Sequence, residues 1–465
     1  MKIIIFGLGR FYRRHIEEIK DTDEIIALID NNAENIKFSN GKKVYTPDAI
    51  MGFDYDYVLL MVAQSEEIEK QLITIGISKL RILRWYEYMK IKKHDISIIA
   101  NGISNGGKKI IIITDPLLYN GGALAAINVG KALLEKKYDI TIASYQADER
   151  LVKEIQDMGI SVAIISQLLP MTWEEAVWCQ KFDFAIVNVF PMLNVACILG
   201  QIMPTLWWVH ESSNKYYAFY EYTRMQYKRY DDIELIKKVW VIAVSSIAKN
   251  NFEEFYPNTV KSIVPVCISD RNKLPLRRNK KNNKKYVVSL IGPIMHPKGQ
   301  LVLINAMNKM TLKTEIECLF IGKIEDRDYY DELTKQSDGL DIRFKGVLDL
   351  ERMQSQYEKI DVVVCASYEE TLSLTIVEGM MNSKICITTD ETGIAEYIED
   401  GVNGFICKAG DEDSLAEKLQ FVLEHYDDLD FVKRNARATY EKYFTLNVLG
   451  ERFEQEIMKL EKVLK

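Results

Sequence analysis

The chain has 465 residues, which is enough for about three domains of ordinary size. Apolar residues make up 48% of the sequence and charged residues 27%, and the 24 glycines and 10 prolines exclude a collagen-like or low-complexity protein. The formal net charge of −7 argues against a nucleic-acid-binding protein, which needs a broad basic face.

The seven cysteines form no CxxC pair, which favours buried thiols in a reducing cytosol over disulfides. No spacing of cysteines and histidines predicts a zinc site. The apolar run at the N terminus is too short for a signal peptide. We therefore expect a cytoplasmic protein.

Residues 1–95 alternate apolar runs with helical patterns, which predicts a Rossmann-like domain with a parallel sheet. Gly7 and Gly9 follow the first predicted strand and Asp30 follows the second, as in a dinucleotide-binding fingerprint in which Tyr12 replaces the third glycine. These three residues are candidates for binding NAD or another nucleotide. Because no catalytic base for hydride chemistry is evident, we favour a noncatalytic nucleotide-binding or assembly module over an active oxidoreductase.

Residues 96–107 are predicted to be a linker, because they end in a run rich in Gly and Asn, and a second α/β domain is predicted over 108–272. Within that domain, 184–209 holds no charged residue and is long enough to cross a bilayer. Pro191 and Pro204 interrupt it, so we predict two buried strands, Phe184–Val189 and Thr205–Val209, around a short helix.

The basic run within 273–285 has no apolar periodicity and predicts an exposed linker, with a patch for anionic membranes as the alternative. A third α/β domain is predicted over 286–445, followed by an amphipathic helix over 446–465. The predicted fold class is therefore α/β, with two similar Rossmann-like halves after the N-terminal Rossmann-like domain.

The most specific motif is a pair of carboxylates, Glu370 and Glu378, with seven residues between them. Glu370 follows a predicted buried strand, Asp361–Ala366, and Glu378 lies near the start of a predicted helix. Ligands of open α/β sheets bind at this edge, and a helix N-terminus can hold a diphosphate there. The alternative is a solvated loop glutamate and a glutamate favoured by the helix dipole.

Further loops are predicted to converge on the same edge. Gly292 and Lys298 follow the first strand of this domain, and Gly393 follows a later one. A lysine at that edge can pair with phosphate.

These segments, strand–G…KG, S-x-x-E-x7-E-G-M and T-G-x-x-E-x-I-x-D-G-x-N-G, together resemble the retaining GT-B glycosyltransferases of family 4. The resemblance runs from about residue 108 to the C terminus. It implies that Glu378 holds the ribose hydroxyls of a nucleotide-sugar donor and that Glu370 contacts the donor sugar near its reacting carbon. Lys298 would neutralise the diphosphate, helped by the backbone of Ser373 and Leu374. The C-terminal helix would cross back to the second domain.

On the acceptor side, Gly121 and Gly122 match the family's glycine loop, which approaches the diphosphate across the cleft. His210 matches a position where the family often has a histidine near the donor sugar, and we treat it with Glu370 as a candidate catalytic residue. An ordinary tight turn and a structural histidine are the alternatives.

Two departures from the family leave the donor sugar open. The family commonly has an arginine after the first glycine, where this chain has Pro293. The glycines that often follow the first glutamate are replaced by Thr371, Leu372 and Ser373.

Aromatic and basic residues alternate from Trp207 to Tyr230, which suggests a surface for a saccharide, a lipid-linked acceptor or a membrane. A helix with an aromatic packing stripe is the alternative.

Three D-x-D triplets, at 54–56, 326–328 and 411–413, fall in predicted turns and helix starts, so we expect no metal site. The resemblance implies a glycosyltransferase that uses a nucleotide-sugar donor and acts on a glycan acceptor, and we expect it to need neither metal nor cofactor. The basic run and the aromatic and basic segment suggest, as an alternative to an exposed linker and a packing stripe, peripheral contact at the inner face of the cell membrane. The N-terminal block resembles Rossmann-like domains beside enzymes of bacterial polysaccharide pathways. A sugar-nucleotide isomerase and a degenerate nucleotide-binding scaffold are the rival functions.

Overall fold

The computed structural model describes residues 1–90, 96–169, 171, 173–212, 233–272 and 285–464. The basic linker predicted within 273–285 lies almost wholly outside these residues. The same is true of the predicted aromatic and basic surface between Tyr216 and Tyr230. The described residues form three sheets in chain order.

The first sheet has six strands in the order β3-β4-β2-β1-β5-β6, all parallel except the hairpin of β3 and β4. That hairpin turns at Asn40 and Gly41, which both have positive φ, and an Asn-Gly pair is a strong signal for such a turn. The sequence analysis overlooked it. The strands are β1 (Lys2–Phe6), β2 (Glu24–Ile29), β3 (Phe38–Ser39), β4 (Lys42–Tyr45), β5 (Tyr57–Leu60) and β6 (Ile82–Arg84). The α-helices of this domain are Arg10–His15, Glu66–Thr74 and Trp85–Lys90.

The second sheet has eight strands in the order β14-β13-β12-β11-β8-β9-β10-β7. All are parallel except β7, which pairs antiparallel with β10 at one edge. The strands are β7 (Ile96–Ala100), β8 (Lys109–Ile113), β9 (Asp139–Ser144), β10 (Ser161–Ile165), β11 (Phe184–Asn188), β12 (Thr205–Val209), β13 (Trp240–Ala243) and β14 (Val260–Ile263). The α-helices are Gly121–Glu135, Glu149–Asp157, Trp173–Cys179, Leu193–Leu199, Ile233–Ile236 and Ser246–Glu253.

Residues 96–107, predicted to be a linker, therefore begin with a strand of the second sheet. The segment Ile96–Ala100 is rich in isoleucine, which suits a strand, but two of its side chains, Ile98 and Ile99, are 48% exposed at the sheet edge. It is short and lies beside the Gly/Asn run, so the turn signal of that run outweighed the strand signal in the sequence.

The uncharged stretch 184–209 forms strand β11, a short helix and strand β12, as predicted. Trp207 and Trp208 on β12 are fully buried, and their indole N–H groups donate to the carbonyl oxygens of Val189 and Val264 at 2.9 and 2.8 Å. The two tryptophans are therefore core residues and not part of an aromatic surface. No helix among the described residues is long and apolar enough to span a membrane.

The third sheet is fully parallel, in the order β17-β16-β15-β18-β19-β20. Its strands are β15 (Tyr286–Ile291), β16 (Ile316–Ile321), β17 (Asp341–Phe344), β18 (Val362–Cys365), β19 (Ile385–Thr389) and β20 (Phe405–Cys407). The α-helices are Gln300–Lys309, Arg327–Gln336, Leu350–Tyr357, Leu374–Met381, Glu412–Glu424, Asp430–Tyr443 and Leu446–Leu464. The predicted α/β class with three parallel-rich sheets is confirmed.

The last helix, Leu446–Leu464, packs on the helix Gly121–Glu135 of the second domain. A Cβ on Gly450 would lie 3.1 Å from the carbonyl oxygen of Ala132, so the two helices are in close contact. Trp240 on β13 donates its indole N–H to Glu456 Oε2 at 2.8 Å. The C-terminal end of the chain is thus part of the core that surrounds the second sheet.

Candidate active site

The segment between Glu370 and Glu378 lies at the carboxyl edge of the third sheet, where the helix Leu374–Met381 begins. Ser373 precedes this helix with φ 68° and ψ 80°, a left-handed conformation that is uncommon for serine, and no side chain caps the helix. The first N–H groups of an α-helix have no acceptor within the helix. This N-terminus therefore offers hydrogen-bond donors and a partial positive charge to an anion.

Lys298 and Glu370 come from different loops of this edge and form an ion pair. Glu370 Oε2 also accepts a hydrogen bond from Ser367 Oγ at 3.2 Å. The side chains of the ion pair are 25% and 23% exposed, so a ligand can reach them. The structure thus brings together a cation suited to phosphate and a carboxylate suited to a sugar hydroxyl.

Glycines allow the loops to approach this closely. Gly299 has φ 69°, and a Cβ on it would lie 1.9 Å from the carbonyl oxygen of Ala366, so no other residue fits where the lysine loop meets the end of β18. Gly292 lies against the stem of Lys298, since a Cβ there would be 3.9 Å from Lys298 Cδ. These contacts place Lys298 beside Glu370.

Gly393 lies where the two halves of the molecule meet. Its N–H donates to the carbonyl oxygen of Glu370 at 2.9 Å, and a Cβ on it would lie 2.6 Å from Ser245 Cβ in the second domain. Its predicted role in donor binding is therefore accompanied by a structural one: its lack of a side chain lets the Glu370 loop and the second domain come together.

The helix Ser246–Glu253 of the second domain rests on the loops of the third. Glu396 Oε1 accepts the N–H of Ser246 at 2.9 Å, and Asn251 donates to Glu369 Oε1 at 3.1 Å. Both carboxylates flank the candidate donor site in sequence. These contacts hold the second domain over one side of the site.

Glu378 is the fifth residue of the helix Leu374–Met381 (the donor helix) and is partly buried. Tyr357 donates its hydroxyl hydrogen to Glu378 Oε2 at 2.8 Å. Burial raises the pKa of the Glu378 carboxyl above its ordinary value, and the Tyr357 hydrogen bond and the charge of Arg271 oppose that rise. Sequence reasoning missed both Tyr357 and Arg271, because each is distant along the chain from the motif.

Pro293 occupies the position where the family commonly has an arginine. The Pro293 carbonyl oxygen instead accepts a hydrogen bond at 2.8 Å from Gln300, whose own amide oxygen is buried and has no partner in the described part of the chain. The loop is therefore held by a neutral side chain. Lys298 is the cation that this loop contributes to the site.

On the second domain, Gly121 and Gly122 open the helix Gly121–Glu135 at the carboxyl edge of the sheet. Asp115, which the sequence analysis did not single out, lies against this N-terminus: a Cβ on Gly122 would be 3.2 Å from Asp115 Oδ1. Among the described residues outside its own helix and its chain neighbours, no atom lies within 4 Å of a Cβ on Gly121. A carboxylate therefore already faces the helix end where the resemblance puts the diphosphate.

His210 follows β12 at the same edge. Burial lowers its pKa to about 3, so its ring is neutral near pH 7. Its Nε2 is buried and has no hydrogen-bond partner among the residues that the structure describes. Glu211 accepts the N–H groups of His210 and Phe190 at 2.9 Å each and so fixes the backbone on both sides. His210 can act on a sugar as a neutral ring or through its backbone, but not as a cation.

The N-terminal candidates lie in the first sheet. Gly7 has φ 94°, as a turn after β1 requires, whereas Gly9 precedes a helix of only six residues. Both carboxylate oxygens of Asp30 accept backbone N–H groups, from Leu8 at 2.8 Å and from Asn32 at 2.9 Å. Tyr12 is 2% exposed and fills the core of this domain. Asp30 thus holds its own loop through Asn32 and ties it to the glycine loop after β1 through Leu8.

Within the described ranges, no group of three or more His, Cys, Asp and Glu side chains is placed to hold a metal ion. Two of the D-x-D triplets begin helices: Asp326 and Asp411 accept N–H groups of the first helical turn. Asp54 pairs with Lys2.

Two segments of the chain match models of known protein families. Residues 273–439 match the family model described as group 1 glycosyl transferases, and residues 1–83 match the model described as C2185-like, N-terminal. None of the curated proteins matches the chain.

Solved structures are similar over most of the chain. The glycosyltransferase from Rickettsia africae ESF-5 is 21% identical with a TM-score of 0.62, over 77% of this chain and 99% of that one. Anabaena Alr3699/HepE, solved in complex with UDP-glucose, is 18% identical with a TM-score of 0.61, over 76% and 99%. The lipopolysaccharide outer core galactosyltransferase WaaB is 17% identical with a TM-score of 0.57, over 76% and 99%.

At these identities the structural likeness establishes the GT-B fold, as predicted. The family match covers the part of the chain that carries Lys298, Glu370 and Glu378. The protein is therefore a glycosyltransferase of the GT-B fold that uses a nucleotide-sugar donor; its residues 273–439 match the group 1 family, and its separate N-terminal domain matches the C2185-like model.

Proposed function

We propose that this enzyme transfers a sugar, with retention of configuration, from a nucleotide-diphosphate sugar to a saccharide or lipid-linked saccharide acceptor. The product would belong to a cell-surface polysaccharide or another glycan. The proposal rests on one observation: the Lys298–Glu370 pair lies at the same sheet edge as the uncapped N-terminus of the helix Leu374–Met381. This set offers positive charge for a diphosphate and a carboxylate for a sugar hydroxyl.

The similar structures support the choice of donor and acceptor class. HepE was solved with UDP-glucose, and WaaB is described as a galactosyltransferase of the lipopolysaccharide outer core. We therefore put UDP-sugars first among the donors to be tested. A lipid-linked acceptor would place the cytoplasmic enzyme at the inner face of the membrane, where the basic sequence within 273–285 can meet anionic lipids.

In this scheme the donor's diphosphate takes Lys298 from Glu370, which leaves the carboxylate to accept a hydrogen bond from the donor sugar. The bond between the anomeric carbon and a diphosphate oxygen breaks, a bond from that carbon to the oxygen of an acceptor hydroxyl forms, and the hydroxyl proton passes to the departing diphosphate. Negative charge grows on the diphosphate, next to Lys298 and the helix N-terminus, which stabilise it. Glu378 holds the ribose, and the second domain, with Gly121, Gly122 and His210, covers the site and excludes water.

We further propose that the N-terminal domain, 1–95, is a noncatalytic assembly module. This is supported by the hydrogen bonds from Leu8 and Asn32 that occupy both oxygens of Asp30, and by the contact of the domain with the second one, where the Trp173 backbone N–H donates to the Tyr57 hydroxyl oxygen. Arg81 lies over the rings of Tyr55 and Trp173, at 3.8 and 5.3 Å from their centroids. Trp173 belongs to the second domain, so the two domains are joined by an aromatic and cationic stack.

The test is a thermal-shift screen of wild type and Glu378→Ala against UDP, GDP, TDP, ADP and their glucose derivatives. A ligand at 100 times its Kd should add about 2.7 kcal/mol of stability. A shift with one nucleotide that is lost in Glu378→Ala supports the proposed donor site. A shift that survives in Glu378→Ala points to the N-terminal domain instead.

The nucleotide sugar selected by the screen is then incubated with the enzyme, with and without saccharide acceptors. Product formed from the nucleotide sugar alone would identify an isomerase. Absence of any nucleotide-dependent shift would contradict the transferase proposal and favour a scaffold.

A further inference from the structure

Tyr357 is a buried residue that contacts the candidate ribose-binding carboxylate. It is the last residue of the helix Leu350–Tyr357 and is 2% exposed. Its hydroxyl donates to Glu378 Oε2 at 2.8 Å, across to the neighbouring helix Leu374–Met381. A hydrogen bond from a buried phenol to a carboxylate is charge-assisted and directional. Tyr357 therefore fixes one of the two oxygens of Glu378.

The other oxygen, Glu378 Oε1, has no donor among the described residues. Two groups on elements packed against the donor helix act on this carboxylate: Tyr357, and Arg271 from the segment that precedes the third domain. Of the remaining ionisable groups beside this helix, Arg437 donates to the carbonyl oxygen of Met381, and the Cys386 thiol lies against Gly379. Neither of these contacts Glu378.

We propose that Tyr357 is a positioning residue for donor binding. It holds Glu378 Oε2, turns Oε1 toward the ribose and keeps the carboxylate ionised. The inference rests on the proposed function, in which Glu378 accepts hydrogen bonds from the donor's ribose. An ionised carboxylate accepts from two hydroxyls, whereas a protonated one becomes a donor and loses part of that capacity.

The test compares Tyr357→Phe with a matched control, Tyr426→Phe. Tyr426 is also a buried tyrosine of the third domain, 6% exposed, and donates to Asp361 Oδ1 at 2.9 Å. Asp361 immediately precedes β18, at the end of that strand opposite to the candidate site. The two variants lose the same chemistry, a buried phenol bonded to a carboxylate, at different distances from the donor.

Calorimetry with UDP-, GDP-, TDP- and ADP-glucose measures the affinity of wild type and both variants near pH 7.5. These nucleotide sugars are used because their diphosphates are esterified at both ends and do not titrate in the range of interest. We expect Tyr357→Phe to weaken binding about tenfold, the value of a hydrogen bond to a charged group, while Tyr426→Phe binds as wild type does. Equal affinity of Tyr357→Phe and wild type, with binding lost in Glu378→Ala, overturns this inference and leaves the proposed function standing.

The pH profile separates positioning from a merely structural role. The carboxylate loses its charge as the pH falls through the pKa of Glu378, and loss of the phenol raises that pKa. Donor affinity of Tyr357→Phe should therefore begin to decline at a higher pH on acidification than that of wild type and of Tyr426→Phe. Identical profiles contradict the inference. The other ionisable groups are the same in all three proteins, so their effects cancel in the comparison.

A double variant covers the case in which Tyr357→Phe disturbs the fold. If Tyr357 acts through Glu378, adding Tyr357→Phe to Glu378→Gln should change the affinity less than twofold, because the charged acceptor is already gone. A further tenfold loss in the double variant shows a structural effect and overturns the inference. A wild-type protein that binds none of the four nucleotide sugars overturns the proposed function together with it.

Discussion

The carboxyl edges of the first and third sheets share a pattern but differ in what they leave available. Each has glycines after its first strand and an acidic residue at a later loop. In the third sheet, an eight-residue helix begins without a cap, and Lys298 and Glu370 are partly exposed beside it. In the first sheet, the helix has six residues, and both oxygens of Asp30 are used by backbone N–H groups.

The difference shows that a glycine loop and an acid at the right spacing do not by themselves make a ligand site. What matters is which donors, acceptors and charges remain for a ligand after the fold has satisfied its own backbone. Several such groups remain at the edge of the third sheet. At the edge of the first sheet, both oxygens of Asp30 already accept backbone N–H groups. The predictions below test this contrast, from the largest expected effect to the smallest.

Removing the cation of the third sheet's edge should have the largest effect. Lys298→Met should weaken nucleotide-sugar binding about 100-fold, because a charge-assisted contact with the diphosphate is lost. Calorimetry measures the change. Lys309→Met is the control, since Lys309 is a lysine of the same domain that pairs with Glu412 and Asp413. Equal affinities of Lys298→Met and Lys309→Met would show that Lys298 does not bind the diphosphate, and would contradict the contrast between the edges of the first and third sheets.

Asp30→Ala should instead affect stability and spare donor binding. Two backbone N–H groups lose their acceptor, which should cost the N-terminal domain about 2 kcal/mol. Thermal unfolding followed in the variant and in wild type measures the loss. Donor affinity at the third sheet should stay unchanged; a loss of nucleotide binding with no loss of stability would show that Asp30 serves a ligand.

The next prediction concerns the edge of the second sheet, where His210 is a buried polar residue whose ring should stay unprotonated in the folded protein. Burial lowers its pKa to about 3 in the folded protein, below the ordinary value of a histidine, so protons bind preferentially to the unfolded state. Wild type should therefore lose about 1 kcal/mol of stability at this residue as the pH falls from about 6.5 to 5. Unfolding midpoints of wild type and His210→Gln at both pH values measure the effect. An equal loss in the two proteins would show that the folded His210 takes up a proton.

Ser373→Gly should have the smallest effect and the opposite sign. Relief of the left-handed conformation of Ser373 outweighs the added freedom of glycine in the unfolded chain, so we expect a gain of about 0.5 kcal/mol. Donor affinity should stay within twofold, because the backbone N–H groups remain. Ser373→Ala separates the hydroxyl from the backbone effect, and a destabilised Ser373→Gly would show that the hydroxyl holds the turn.

The sequence predicted the buried parts of the fold better than its edges. Continuous apolar runs revealed the central strands, including β11 and β12 within the uncharged stretch. The edge strands β3, β7 and β14 were missed, as was β4 next to β3, since all four are short and partly exposed and their pattern is weak. The Asn-Gly pair at 40–41 was the available signal for one of them.

The site follows the same rule. Glu370, Glu378 and Lys298 could be found because a motif of fixed spacing includes them. Tyr357, Arg271, Asp115 and Glu211 act through contacts between segments that are distant in the chain or through backbone bonds, and no local pattern reports such contacts. The left-handed turn at Ser373 could not be predicted either, because serine rarely adopts it.

The two ends of the helix Leu374–Met381 contact different parts of the molecule, the proposed donor site and the end of the second domain. Its N-terminus is the proposed diphosphate site, and the carbonyl oxygen of Met381 at its other end accepts hydrogen bonds from Arg437 at 2.7 Å and Asn272 at 3.2 Å. Asn272 lies at the end of the described part of the second domain. A helix of this length is stiff along its axis, so any axial displacement at one end is transmitted to the other. A ligand at the first turn of this helix and Asn272 at its last residue would therefore act on the same rigid element.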